Sequence, residues 1–134
     1  MTYCVGLRLD HGMVLLSDTR TNAGLDNISI YKKMITFEEP GERVITIMTA
    51  GSLSVTQTTM LRLEDAIEDE DASEDTSIMK AKTMLKVAEI IGRMLADVSA
   101  DVTSKLERMS QNTASATLIV AGQRKGGDMR LFLV

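Results

Sequence analysis

The sequence predicts an α+β fold, and three observations carry that prediction. Short apolar runs of strand character fill residues 3–49, two apolar stripes with helical spacing follow, and two more strand-like runs lie beyond them. Strands, then helices, then strands suits helices layered on an antiparallel sheet better than the strict alternation of a parallel one. At 134 residues the chain has the length of one domain, expected to span 1–134, that buries a core without disulfides or a structural metal. With two Phe, two Tyr, no Trp and ten Met, that core must be built from aliphatic side chains and methionine.

Each element has its own warrant. Tyr3 to Leu9 alternates loosely, Asp10-His11-Gly12 supplies turn chemistry, and Met13 to Leu16 is a short apolar run ending at Ser17-Asp18, so a hairpin is expected at the N-terminus. Residues 19–27 are rich in Thr, Asn, Gly and Asp and read as an irregular loop. A strand is expected over 30–37, a turn over 38–42 around the only proline, and a β-branched strand over 43–49 that Ala50-Gly51-Ser52 interrupts. Leu53, Met60, Leu63 and Ile67 then share a helical face, with Ser52 placed to cap it. The acidic stretch 64–75 reads as the helix end and an exposed linker. Ile78, Ala81, Leu85, Ala88, Ile91, Leu95 and Val98 recur at steps of three and four, predicting a second, longer helix. Strands over 114–121 and 129–134 are joined by a glycine-containing loop at 122–128. The last strand ends on apolar residues, so the chain is expected to be the N-terminal part of a longer domain.

Composition excludes several functions. A net charge of −4 leaves no basic footprint for nucleic acid or an anionic membrane surface. No run approaches the roughly 20 apolar residues that cross a bilayer, and Cys4 alone makes no internal disulfide. A cytoplasmic protein with neither nucleic-acid nor membrane partners is expected.

The N-terminus carries the chemistry. If Met1 is removed, as a small second residue permits, the chain begins with a hydroxyl and a free α-amine on the same residue, Thr2. An α-amine titrates near pH 7.7 to 8.0, so it accepts the hydroxyl proton near neutrality, directly or through one water. A threonine at position two is by itself common and usually idle. Asp18, Arg20 and Lys33 add what it would need: a lysine favouring deprotonation nearby, and a carboxylate to hold that lysine. The plain alternative is a surface ion pair of Asp18 with Arg20 and a solvated Lys33. Gly51, between a strand and a helix, could present its amide to a developing oxyanion, or simply make a tight turn.

In combination, Met1 to Gly6, Ser17 to Gly24, Lys32-Lys33-Met34 and Thr49-Ala50-Gly51 follow the order and approximate spacing of proteasome β-type subunits, most closely a bacterial homologue of them. The resemblance covers the whole chain, including residues 115–134. It implies the αββα sandwich of N-terminal-nucleophile hydrolases, of which this would be the N-terminal part. It further implies Thr2 as nucleophile, Asp18 and Lys33 completing the catalytic group, Arg20 bracing Asp18 and Gly51 in the oxyanion hole. Thr21, Asn22, Ala23 and Gly24 would line the substrate cleft and offer main-chain hydrogen bonds to an extended peptide. A slip of one residue would exchange Lys32 for Lys33. Lys33 is preferred because strand alternation sends only one of them toward Thr2, and Met34 fits the family's step from lysine to an apolar residue.

The expected activity is therefore a threonine-type peptidase or amidohydrolase acting on a peptide or amide. Its expected state is a homo-oligomer, ring or open spiral, with no metal or organic cofactor and an unfoldase partner left open. Two alternatives stand beside it: a narrow amidase for a small molecule or modified peptide, and a non-catalytic assembly module if Met1 is retained or the chain is truncated. The remaining features are plainer. His11 is a turn residue without partners for zinc or a triad. Cys4 reads as a small buried hydrophobe, the acidic run as a solvated surface, and residues 122–127 as a hairpin without a phosphate-loop pattern. Met79, Met84, Met94 and Met109 read as helix packing, against the core or against a neighbouring subunit.

Overall fold

The structure, a computed structural model, describes residues 2–22, 28–108 and 114–134, with backbone alone at 22, 28, 29 and 106–108. Met1, Ala23, Gly24 and Met109 lie outside the described residues. The chain is a mixed α/β fold with two helices and antiparallel sheet pairing. It divides into two compact units, residues 1–50 with 118–133, and residues 51–117 with 134.

The first unit holds the sheets. β1 (Cys4–Arg8) and β2 (Met13–Ser17) form an antiparallel hairpin with Cys4 opposite Ser17 and Arg8 opposite Met13. β3 (Arg20–Asn22) and β4 (Ile28–Ile30) form a second, where an irregular loop is expected from composition. Turn-rich composition does not forbid short ladders, because the pairing is made by main-chain groups that every residue but proline supplies. β5 (Met34–Glu39) and β6 (Arg43–Gly51) meet across the turn at Pro40-Gly41-Glu42, and β7 (Ala116–Arg124) and β8 (Arg130–Leu133) complete a four-stranded sheet in the order β5-β6-β7-β8. The strand expected over 30–37 is thus two strands, broken at 31–33.

Residues 45–49 of β6 are all buried, as a central strand with both faces covered should be, and Leu118, Val120 and Ala121 of β7 join them. The β1–β2 hairpin lies against the same unit through Gly6, where an added Cβ would sit 2.9 Å from the Leu131 side chain of β8. A two-stranded ribbon is marginal alone, and this close approach is one of the contacts that hold it, with the Cys4 thiol on the Thr49 carbonyl.

The second unit holds α1 (Leu53–Glu68) and α2 (Met84–Arg108). α1 buries Val55, Thr56, Thr59, Met60 and Leu63, whereas Leu53 is exposed. Ser52 stands at the cap position, but its hydroxyl meets Ser54 Oγ at 3.0 Å instead of an amide, and the first turn closes on its carbonyl, which accepts from the Thr56 N–H. α2 buries Ala88, Ile91, Leu95 and Val98 as the stripe predicts, whereas Leu85 is 57% exposed and Met84 and Val87 are buried at the helix start in its place. The helix begins later than the apolar stripe, however: Ile78 and Ala81 are fully buried yet precede it, Ile78 in a turn. The reason is local. Thr76 Oγ1 accepts the Ser73 N–H and meets the Ser73 carbonyl, the Ser73 hydroxyl accepts the Asp75 N–H, and side chains of this kind compete with the helix ladder. Thr83 Oγ1 then accepts the Lys86 N–H at 3.1 Å and caps the helix. Arg62 of α1 bonds Asp101 of α2 at 2.9 Å. Among the described residues no helix is long and apolar enough to cross a membrane, and no cluster of three His, Cys, Asp or Glu is placed to hold a metal.

Candidate active site

Asp18 follows the last residue of β2 and extends its ladder by one step. Its N–H donates to the Tyr3 carbonyl at 2.9 Å, and its Oδ1 accepts the Tyr3 N–H at 2.8 Å. The carboxylate thereby fills the place of a main-chain acceptor at the strand end. The N–H it accepts belongs to the peptide group joining Thr2 to Tyr3, so Asp18 grips the chain immediately after the Thr2 side chain. Thr2 is half-buried.

Lys33 comes to the same carboxylate from the break between β4 and β5. Its carbonyl accepts the Thr49 N–H at 2.8 Å, which fixes its backbone against β6. The residue is only 4% exposed, and its Nζ donates to Asp18 Oδ2 at 2.7 Å and to the Arg20 carbonyl at 2.6 Å. An ammonium has three donors, so one remains after these two bonds. Lys32 is exposed.

These contacts set the electrostatics. The Lys33 hydrogen bond, followed by the Tyr3 amide, lowers the Asp18 carboxyl to about 2, so it is ionised throughout the neutral range. Cys4, whose thiol donates to the Thr49 carbonyl at 3.7 Å, is pushed the other way. Burial and then the Asp18 charge raise its pKa, with Lys33 opposing, so it stays a protonated thiol at neutral pH and makes a poor nucleophile.

Arg20 meets Asp18 through its main chain and not its guanidinium. Its N–H donates to Asp18 Oδ2 at 3.3 Å and its carbonyl holds Lys33, while the residue is exposed and its side chain has no ion pair among the described residues. The register explains this. Tyr31 N–H bonds the Thr19 carbonyl, and Arg20 stands opposite Ile30, so alternation turns the main-chain groups of Thr21 toward Ser29 and those of Arg20 and Asn22 away from β4. The main-chain bonds expected from Thr21 to a peptide are therefore spent inside the hairpin. Among the described residues of that segment, Asn22 is the one whose main chain faces outward beyond Arg20.

Gly51 ends β6 with φ of 104°. A side chain is excluded there twice over, since a Cβ would lie 2.6 Å from the Ser115 carbonyl oxygen and that φ is a left-handed conformation. Ser52 N–H bonds that same carbonyl at 2.9 Å and pins the turn. Sequence reasoning missed the Tyr3 amide and the Arg20 carbonyl as parts of the site, because main-chain groups carry no residue signature. The alternation of Ile28-Ser29-Ile30 was the available sign of β4.

No protein-family model and no curated protein matches the chain, but solved structures match it from end to end. They define its class as proteasome-like in fold and sequence. The relationship is to Anbu. A Gly-1 mutant of Anbu from Hyphomicrobium sp. strain MC1 is 34% identical with a TM-score of 0.86, covering 100% of this chain and 53% of its own. Anbu from Yersinia bercovieri, called an ancestral β-subunit, is 32% identical with a TM-score of 0.84 over 98% and 52%. The helical assembly of the Anbu complex from Pseudomonas aeruginosa gives 33% and 0.71 over 98% and 52%. The chain thus spans about half the length of these relatives.

Proposed function

We propose that the chain forms one proteasome-like domain of a threonine-type hydrolase in which Thr2, freed by removal of Met1, is the nucleophile toward a peptide or amide carbonyl. The observation that carries this reading is the Asp18 carboxylate held between the Lys33 ammonium and the amide of the Thr2–Tyr3 peptide group. In the proposed reaction the α-amine of Thr2 takes the hydroxyl proton as Oγ attacks the carbonyl carbon. The proton passes to the departing amine as the carbon–nitrogen bond breaks, and water then hydrolyses the acyl ester and restores the hydroxyl. Lys33, with one donor left and its charge fixed by Asp18, favours the deprotonated hydroxyl. Gly51 supplies an oxyanion donor through its amide, and Asn22 pairs with an extended substrate through its main chain. The Pseudomonas aeruginosa relative forms a helical assembly, which supports self-association of this chain.

Intact mass and an amine-and-hydroxyl trapping electrophile test the proposal together. The native protein should lack Met1 and should label on Thr2, and Thr2→Ala should abolish both labelling and hydrolysis. Hydrolysis at an undiminished rate in Thr2→Ala would show that another group is the nucleophile.

A further inference from the structure

The main chain of Arg20 is fixed on both sides while its guanidinium is not. The N–H donates to Asp18 Oδ2 at 3.3 Å, and the carbonyl accepts the Lys33 ammonium at 2.6 Å. The side chain therefore starts from a held point, one residue's length from the charged pair. In the β3–β4 ladder Arg20 stands opposite Ile30, so the two side chains share a face, and Ile30 is 88% exposed. That face is open to solvent.

Charge around this point is one-sided. The Asp18 carboxylate is occupied by the Tyr3 N–H, the Arg20 N–H and the Lys33 ammonium, and Lys33 neutralises it. Arg20 and Lys32 are left over, both exposed and neither in an ion pair among the described residues. The chain as a whole carries a net charge of −4, so a positive surface beside the Asp18–Lys33 pair runs against its average and draws anions to that place. The two cations differ in what they offer a carboxylate. A guanidinium presents a planar fork that takes both oxygens, whereas an ammonium is a hydrated point charge on a flexible stem. Because the Arg20 backbone is already fixed, binding through its fork costs only the ordering of one side chain.

We propose that Arg20 is a specificity-determining residue whose guanidinium receives an acidic side chain of the substrate, so that the site selects peptides carrying Asp or Glu close to the bond presented to Thr2. The inference rests on the proposed function for where the substrate lies, and not on the chemistry of Thr2.

Binding tests it apart from catalysis. The native protein carrying Thr2→Ala is titrated with short fluorescent peptides blocked at both ends, in which a single Glu is moved along the sequence and compared at each position with Gln. At one position or two neighbouring ones, Glu should bind about fivefold or more tightly, the upper range for an exposed ion pair, and the preference should shrink as salt is raised. Adding Arg20→Gln should bring Glu and Gln to parity. Arg20→Lys should keep part of the preference, and Lys32→Gln should keep it whole. Equal affinity for Glu and Gln at every position, no binding of any peptide, a preference that survives Arg20→Gln, or one lost equally in Lys32→Gln would overturn the inference. If Arg20→Gln fails to fold, Arg20→Lys decides, since a preference undiminished in that variant owes nothing to the fork. Hydrolysis by Thr2→Ala would overturn the proposed nucleophile and leave these affinities standing, so the two failures are told apart.

Discussion

Replacing Lys33 with methionine tests the electrostatics of the site without leaving a hole, because the two side chains are similar in length and the slot is buried. Asp18 sits at about 2 instead of 3.8, and its largest single cause is the hydrogen bond from Lys33, with the Lys33 charge adding a further lowering. The amides of Tyr3 and Arg20 remain in the variant and still favour the carboxylate, while partial burial opposes them. The carboxyl should therefore climb most of the way back toward 3.8. At pH 3 a carboxyl with a pKa of about 2 is roughly one-tenth protonated, and one near its ordinary value is roughly 85% protonated. Carboxyl carbon chemical shifts of labelled aspartate, followed from about pH 5 downward in both proteins, read this directly. The linkage has a definite sign. A depressed carboxyl contributes stability that is fully present above its unfolded value and is lost as pH falls toward its folded one, so the wild type should lose this contribution between 3.8 and about 2 and the variant should have little of it to lose. If Asp18 in Lys33→Met still titrates near 2, the main-chain amides alone set its charge, and Lys33 is not the group that Asp18 holds.

The other predictions concern single features. Gly51→Ala should destabilise the protein by about 2–4 kcal/mol in denaturant titration, combining a left-handed conformation that costs an alanine about 1–2 kcal/mol with a Cβ forced onto Ser115. Wild-type stability would show that the turn relaxes freely. Thr83→Ala should cost about 1 kcal/mol by removing the cap on α2, and no loss in thermal melting would show that the preceding turns fix the helix start by themselves. Ile91→Ala, in a fully buried position, should cost about 2–5 kcal/mol. In an activity assay, Lys33→Ala should be severe and Lys32→Ala mild, and the reverse order would transfer the proposed role to the exposed lysine.

Much of the fold was legible because its signals are local. The N-terminal hairpin follows from alternation and the Asp10-His11-Gly12 turn, and α2 from a stripe of which Ala88, Ile91, Leu95 and Val98 are buried and Leu85 is not. The grouping of Asp18 with Lys33 was readable as a resemblance, through four short motifs in register. What failed in the reading failed for physical reasons. Ile78 and Ala81 carry the same apolar spacing ahead of the helix as they would inside it, since burial rewards their position and not their backbone. Composition hid β3 and β4, because a ladder is made by main-chain groups.

The sequence by itself determined the order of elements, the aliphatic character of the core and the residue types available at the site. Only the tertiary structure decided that Lys33 lies inside while Lys32 lies outside, that Arg20 acts through its main chain, and that Asp18 closes on the Thr2–Tyr3 amide. Neighbours along a chain are set by covalent bonds and short-range sterics, and pattern reveals them. The partners of a buried charge come from residues 13 and 15 positions away, and they become neighbours only when strand register brings donors and acceptors to one place.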